Sequence, residues 1–300
     1  MTNDLVLGRG QENPENIVLS GLKDFSNRLV GSSKMIKIAM GLVSLVLLAS
    51  CATMSQISLA ARSDLAPTGK LRAAINFGNP ILAGRDPTTG EPRGVSVDLS
   101  RELARRLGVP VQFVTYDAAG KVVEGLKSGA WDVAYVAIDP ARAVDISYTA
   151  PYVVIEGAYL VPQGSSIRNN AEVDREGVRV AVGAGSAYDL FLSRNLKHAK
   201  VVRAPTSPAV TDMFVAQKLE VAAGVKQQLE ADARRIPGLR LLEGRFMVIN
   251  QAMGTPRGRE AGAKYLRAFV EEMKASGFVA QALERYRVEG ASVAPRAPVE

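Results

Sequence analysis

Short apolar runs punctuated by turn residues recur along most of this chain, with helical stripes filling the gaps between them. Leu71–Ile75 alternates as a half-buried strand does, while Val109–Tyr116, Val133–Ile138, Val178–Val182 and Glu220–Val225 are further runs of strand length. Between them Leu99, Leu103 and Leu107 share one helical face, which Asp98 is read to cap and Gly108 to end. Val122, Val123 and Leu126 mark a shorter helix closed by Gly129, and Ala187–Leu196 and Ser207–Leu219 read as two more. Residues 258–275 and 278–286 form a last pair separated by Gly277, with Leu266, Phe269, Val270 and Met273 as a core stripe. Strand alternating with helix predicts a parallel, right-handed α/β arrangement.

Two runs break that rhythm. Val153–Val161 is a long apolar strand ending at Pro162-Gln163-Gly164, and Phe246–Met253, after the short strand Leu239–Leu242, runs back the other way. Read as crossings, they divide the chain into one lobe of 69–157 with 249–288 and a second of 158–248, separated by a cleft that closes by hinge motion. The tail 289–300, rich in Ala, Pro and Val, is expected to be disordered.

The stretch Trp131–Tyr152 carries the candidate chemistry. Its strand stops at Asp139-Pro140, a pair suited to the cap and first position of a helix, so Arg142 is expected in a helix's first turn. A cation at that positive end suits an anion. The competing reading is a surface pair of Arg142 with Asp139 or Asp145, worth at most about 1 kcal/mol.

Upstream, residues 1–34 are read as an extension that is non-native or disordered, with Met35 as the start of translation. Lys34 and Lys37 flank Met35, and the apolar run Ile38–Ala49 spans about 18 Å as a helix, short of the roughly 30 Å hydrocarbon layer. Residues 35–60 are therefore expected to be a secretory signal. Two cleavage sites compete: one ahead of Cys51, which would be acylated, and one after Ala60.

Charge and composition narrow the partners. The formal net charge is +7, with basic residues interleaved among acids and no aromatic-basic stripe, which argues against nucleic acid and favours small anions. Cys51 is the sole cysteine and His198 the sole histidine, so no disulfide, thiolate metal site or other cofactor is expected.

The Trp131–Tyr152 stretch, with its arginine followed by an aromatic-Thr-Ala-Pro-Tyr segment, resembles the bacterial extracellular solute-binding proteins of the polar-amino-acid class over about residues 69–288. The resemblance implies a type II periplasmic-binding-protein fold, α/β, with two lobes of mostly parallel sheet flanked by helices. It implies that Arg142 grips a ligand carboxylate beside Ala137, that Phe77 and Asn76 cover the ligand, and that amides near Ser186 and Ala187 in Gly185-Ser186-Ala187 hold its far side. Phe77 as a plug on the core remains the alternative. Gly94-Val95-Ser96-Val97-Asp98 lacks the family's aromatic at Val95, and Val225 stands where an aspartate usually receives an ammonium. Lys226 then suggests a second anionic or polar group on the ligand, unless it is solvated. The expected role is a monomeric periplasmic receptor for a small carboxylate-bearing solute, an amino acid or related organic anion. It would deliver that solute to the permease of an ABC importer, touching the membrane only through a signal or lipid anchor. The rival is a secreted cyclohexadienyl dehydratase, for which Glu156 is the candidate proton donor.

Overall fold

The computed structural model describes residues 57–298. The expectations for residues 1–34, for the signal up to Gln56 and for acylation of Cys51 lie outside the described residues. The first element among the described residues is α1, Leu59–Leu65, whose cap is Ser58, with its Oγ accepting from the Ala61 N–H at 3.1 Å. The folded part therefore includes residues ahead of Gly69: Ala61 and Leu65 are buried and Asp64 receives the Gly262 N–H at 2.9 Å.

Among the described residues ten strands form the main sheet. β1 (Leu71–Asn76) lies between β4 (Val111–Tyr116) and β5 (Val133–Ala137), both parallel to it. At the other end β7 (Arg179–Gly183) lies between β8 (Lys200–Ala204) and β9 (Val221–Val225), again parallel. The two parallel trios define two lobes, and two long antiparallel strands join them. β6 (Ile146–Pro162) pairs with β11 (Met247–Pro256) over most of its length and reaches β9 from Gly157 to Leu160; β11 in turn pairs with β5. β10 (Leu239–Leu241) and β12 (Ser292–Val293) add to β6, and β2 (Gly84–Arg85) with β3 (Pro92–Arg93) makes a separate two-stranded ribbon.

Seven further helices flank the strands among the described residues: α2 (Val95–Leu107), α3 (Ala119–Lys127), α4 (Ala187–Asn195), α5 (Val210–Ala216), α6 (Lys226–Arg235), α7 (Glu260–Ala275) and α8 (Phe278–Arg285). The leucine stripe of α2 is buried, each side chain contributing about 1.5–3 kcal/mol, and Gly108 ends it in the left-handed conformation at φ 63°. Its cap is Gly94, however, and Asp98 sits in the first turn, receiving Arg285 Nη1 at 2.7 Å and the Tyr286 hydroxyl at 3.0 Å.

Three other expectations change. β6 begins at Ile146 and runs through Pro151, which lacks an N–H to donate; the register against β11 shifts beside it, between Gln251 and Gly254. β8 and α6 are elements that the apolar pattern hides. β8 is an edge strand with exposed Lys200 and Arg203, and α6 buries only Leu229 and Asp232. The tail is pinned from 292 to 297: Ala294 donates its N–H to Tyr152 O, Lys274 Nζ donates to Pro295 O, and the Ala297 N–H donates to Glu271. Backbone of β6 holds the start of this segment and two side chains of α7 hold the rest, which composition does not reveal.

Glu102 ties α2 to its surroundings, accepting from Arg105 Nε and Arg106 Nε at 2.8 Å each, while Arg106 also donates to Glu272 on α7. The Arg105 hydrogen bond, aided by Arg106, holds the Glu102 carboxyl down at about 2. A depressed carboxylate stabilises above its ordinary value of 4.5 and loses that contribution as pH falls through about 2. Because Arg105 is largely exposed, Glu102→Gln should cost about 1 kcal/mol or less at pH 7. Urea titrations of both forms at pH 7 and pH 2.5 should show that difference shrinking at the acid end.

Candidate functional site

The C-terminal ends of β1, β5, β7 and β9 meet around one cavity, the edge where ligands bind in open α/β sheets. Asn76, Asn79, Ala137, Arg142, Ser186 and Val225 are among its walls, with Tyr188, Ser207, Ile249 and Gln251 completing the far side. Its volume is about 30 Å³, room for a water or two rather than for a solute.

Arg142 is the charged group of that wall. After β5 the chain makes a single helical turn over 140–145, not a helix: the Arg142 and Ala143 N–H groups both donate to Asp139 O, and Ile146 then opens β6. Asp139 caps that turn by accepting the Ala141 N–H at 2.9 Å. The turn carries Arg142 inward, where it is 3% exposed. Nη1 donates to Ala137 O at 2.9 Å, and Nη2 donates to Gly185 O of the second lobe at 2.7 Å. Nε is buried with no partner, as is Asn79 Oδ1 in the same wall. Burial draws the guanidinium's pKa down, opposed by Tyr148 and Asp139, but an arginine so placed stays a cation. The surface pairing with Asp139 does not form; Asp139 instead receives Arg194 Nη2 of the second lobe at 2.7 Å.

Tyr148 shares the Ala137 carbonyl with Arg142 from outside the cavity lining. Its hydroxyl donates to Ala137 O at 3.2 Å, and burial pushes its pKa up to about 12, so the phenol stays protonated.

On the second lobe Ser186 caps α4 by accepting the Asp189 N–H at 3.0 Å, and Asp189 Oδ2 accepts the Gly185 N–H at 2.8 Å. The Ser186 N–H is likewise committed, to Gly183 O. The amides of Gly185 and Ser186 are therefore occupied, which leaves Ala187 at the helix start as the candidate donor. Gly185, at φ +66°, lies so close to Gly120 at the start of α3 that a Cβ on it would stand 2.8 Å from the Gly120 Cα.

Two sequence candidates fall outside the cavity. Asn76 Oδ1 accepts the Gly78 N–H at 2.9 Å, and in the turn that follows β1 Asn76 and Gly78 line the cavity while Phe77 between them does not. Phe77 packs against the core, with the Arg85 guanidinium 4.5 Å from its ring centre. Lys226 opens α6 and turns to Glu156, 3.4 Å away, while Val225 keeps the place in the wall. Glu156 also receives Arg245 Nη1 at 2.7 Å, and that bond above all holds its pKa below the ordinary carboxylate value. It stays ionised at neutral pH, the wrong state for a proton donor.

Asn79, Tyr188, Ser207, Ile249 and Gln251 were not singled out from the sequence. Single polar residues at strand ends carry no periodic signal, and Gln251 reaches the site only through β11. Among the described residues no group of three or more His, Cys, Asp or Glu could hold a metal ion, and no helix is long and apolar enough to cross a membrane.

The chain is similar to several solved structures. A mutant of ArgBP from T. maritima is 21% identical with a TM-score of 0.66, over 76% of this chain and 100% of that one. The cysteine-binding protein of Campylobacter jejuni is 18% identical with a TM-score of 0.65, over 75% and 92%. An ancestral amino acid-binding protein described as a precursor of cyclohexadienyl dehydratase is 19% identical with a TM-score of 0.64, over 75% and 98%. At these identities the likeness establishes the fold. No curated protein matches the chain. The sequence pattern of one family matches residues 73–289, most of the chain and both lobes around the Arg142 cavity. The chain belongs to the bacterial extracellular solute-binding proteins, family 3.

Proposed function

We propose that this protein is a periplasmic receptor that captures a small carboxylate-bearing solute between its lobes and hands it to the permease of an ABC importer. The carrying observation is the Arg142 guanidinium, buried at the lobe junction with Nε unpartnered in the cavity wall. A guanidinium has five N–H donors, and two are occupied here, so others remain for a carboxylate. Solute entry requires the lobes to part about β6 and β11, since the closed cavity holds only a water or two. The family and its amino-acid-binding structural neighbours agree with such a role.

The second group on the solute is neutral or anionic. Among the described residues Arg142 is the only charged side chain lining the cavity, and Asn76, Asn79, Gln251 and Ser207 offer amides and a hydroxyl. A buried ammonium would lack a carboxylate partner at a cost of several kcal/mol. A hydroxy or oxo acid is therefore favoured over the matching α-amino acid. A thermal-shift screen of amino acids, hydroxy acids, dicarboxylates and amines tests this. Carboxylates without an ammonium should raise Tm most, and hits confined to amines would refute the receptor reading. Val225→Asp should move preference towards the α-amino acid by tenfold or more, about 1.4 kcal/mol, read by calorimetry on matched pairs. The dehydratase reading has lost its donor in Glu156, and incubation with prephenate or arogenate should give no aromatic product.

A further inference from the structure

A separate cleft of about 370 Å³, within the size range of small-molecule sites, shares no residue with the Arg142 cavity. One wall is the loop after β1 with the β2–β3 ribbon, another is α6 of the second lobe, and a third is the segment 286–289 that follows α8. Four arginines line it, Arg85, Arg93, Arg234 and Arg287, against two acids, Glu230 and Glu289.

Two of these guanidinium groups sit over aromatic rings. Arg85 lies 4.5 Å from the centre of Phe77, and Arg93 lies 5.4 Å from the centre of Tyr286, whose hydroxyl is anchored on Asp98. Stacking leaves the edge donors of a guanidinium free for an anion. Arg93 has one long ion pair, 3.8 Å to Asp86. Arg234 and Arg287 are exposed and make no side-chain ion pair or hydrogen bond among the described residues. Arg287 also stands at φ 52°, the left-handed position just past a helix end that glycine ordinarily fills.

We propose that this cleft is a second ligand site, for a compact polyanion with two or more carboxylate or phosphate groups. Arg85 and Arg93 take one end of the anion, and Arg234 and Arg287 the other. The ligand then touches α6 of one lobe and the 80–94 and 286–289 segments of the other. This site does not depend on what the Arg142 cavity binds.

The test is isothermal titration of the full folded protein with citrate and, separately, inorganic pyrophosphate at low salt. At least one should bind with Kd below about 1 mM and weaken as salt rises, and the stronger of the two identifies the source chemistry. Arg287→Gly relieves the left-handed strain, so it should melt no lower than the parent while weakening binding tenfold or more. Arg234→Gln should do likewise. Failure of both probes to bind overturns the proposal, as does binding that Arg287→Gly and Arg234→Gln leave unchanged. Binding lost in Arg142→Ala but kept in Arg287→Gly would put the anion in the other cavity and equally overturn it.

Discussion

Replacing Arg142 by Ala is expected to weaken binding of the solute that emerges from the screen by about 30-fold to several thousand-fold, about 2–5 kcal/mol. The magnitude follows from burial. At 3% exposure the guanidinium meets its ligand away from bulk water, so truncation leaves a desolvated carboxylate with no counter-charge. Arg142→Lys should recover little, because an ammonium cannot span Ala137 O, Gly185 O and a carboxylate with one planar fork. Calorimetry on both variants, with circular dichroism to confirm folding, provides the check. A loss below threefold in Arg142→Ala would show that the carboxylate is held elsewhere.

Trp131→Ala should cost about 3–5 kcal/mol of stability, the largest single-residue effect expected outside the site. Trp131 is fully buried against Ala74, Val122, Ala134, Val136 and Ile146, and its indole N–H donates to Val122 O at 2.8 Å. It thereby ties the first half of α3 to the approach of β5, the strand that delivers Arg142. Trp131→Phe keeps much of the apolar area and loses the hydrogen bond, so a smaller cost of about 1–2 kcal/mol is expected. Urea unfolding followed by circular dichroism measures both, since the variants remove the chain's sole tryptophan and its fluorescence. Equal midpoints for the parent and Trp131→Ala would contradict the packing described here.

What the sequence made legible follows from which signals are periodic. The leucines of α2, the continuous apolar run of β5 and the stripe of α7 are set by local spacing, and each lies where that spacing predicts. Arg142 was legible because charge beside a strand end is conspicuous. Elements built on few buried residues were not: α6 places only Leu229 and Asp232 inside, and β8 owes its existence to a neighbouring strand. The same limit governs the cavity. Phe77 looked like a ligand cover because it is large and sits in the right loop, but the tight turn after Asn76 packs it against the core. Lys226 lies one residue past Val225, and that single step carries it onto α6 and towards Glu156. Asn79 and Gln251 meet Arg142 only through tertiary pairing, which no window of sequence contains.

The bare approach of Gly120 to Gly185 has one more implication. Main chain meets main chain there, so in the proposed receptor the travel of one lobe towards the other would end at a fixed distance, as the jaws of a calliper bottom out. On that proposal, cargo that fits inside would leave the outer contour in one invariant shape, and cargo that is too bulky would leave it wedged ajar. A membrane component that feels only that contour could reject the wrong passenger without ever touching it.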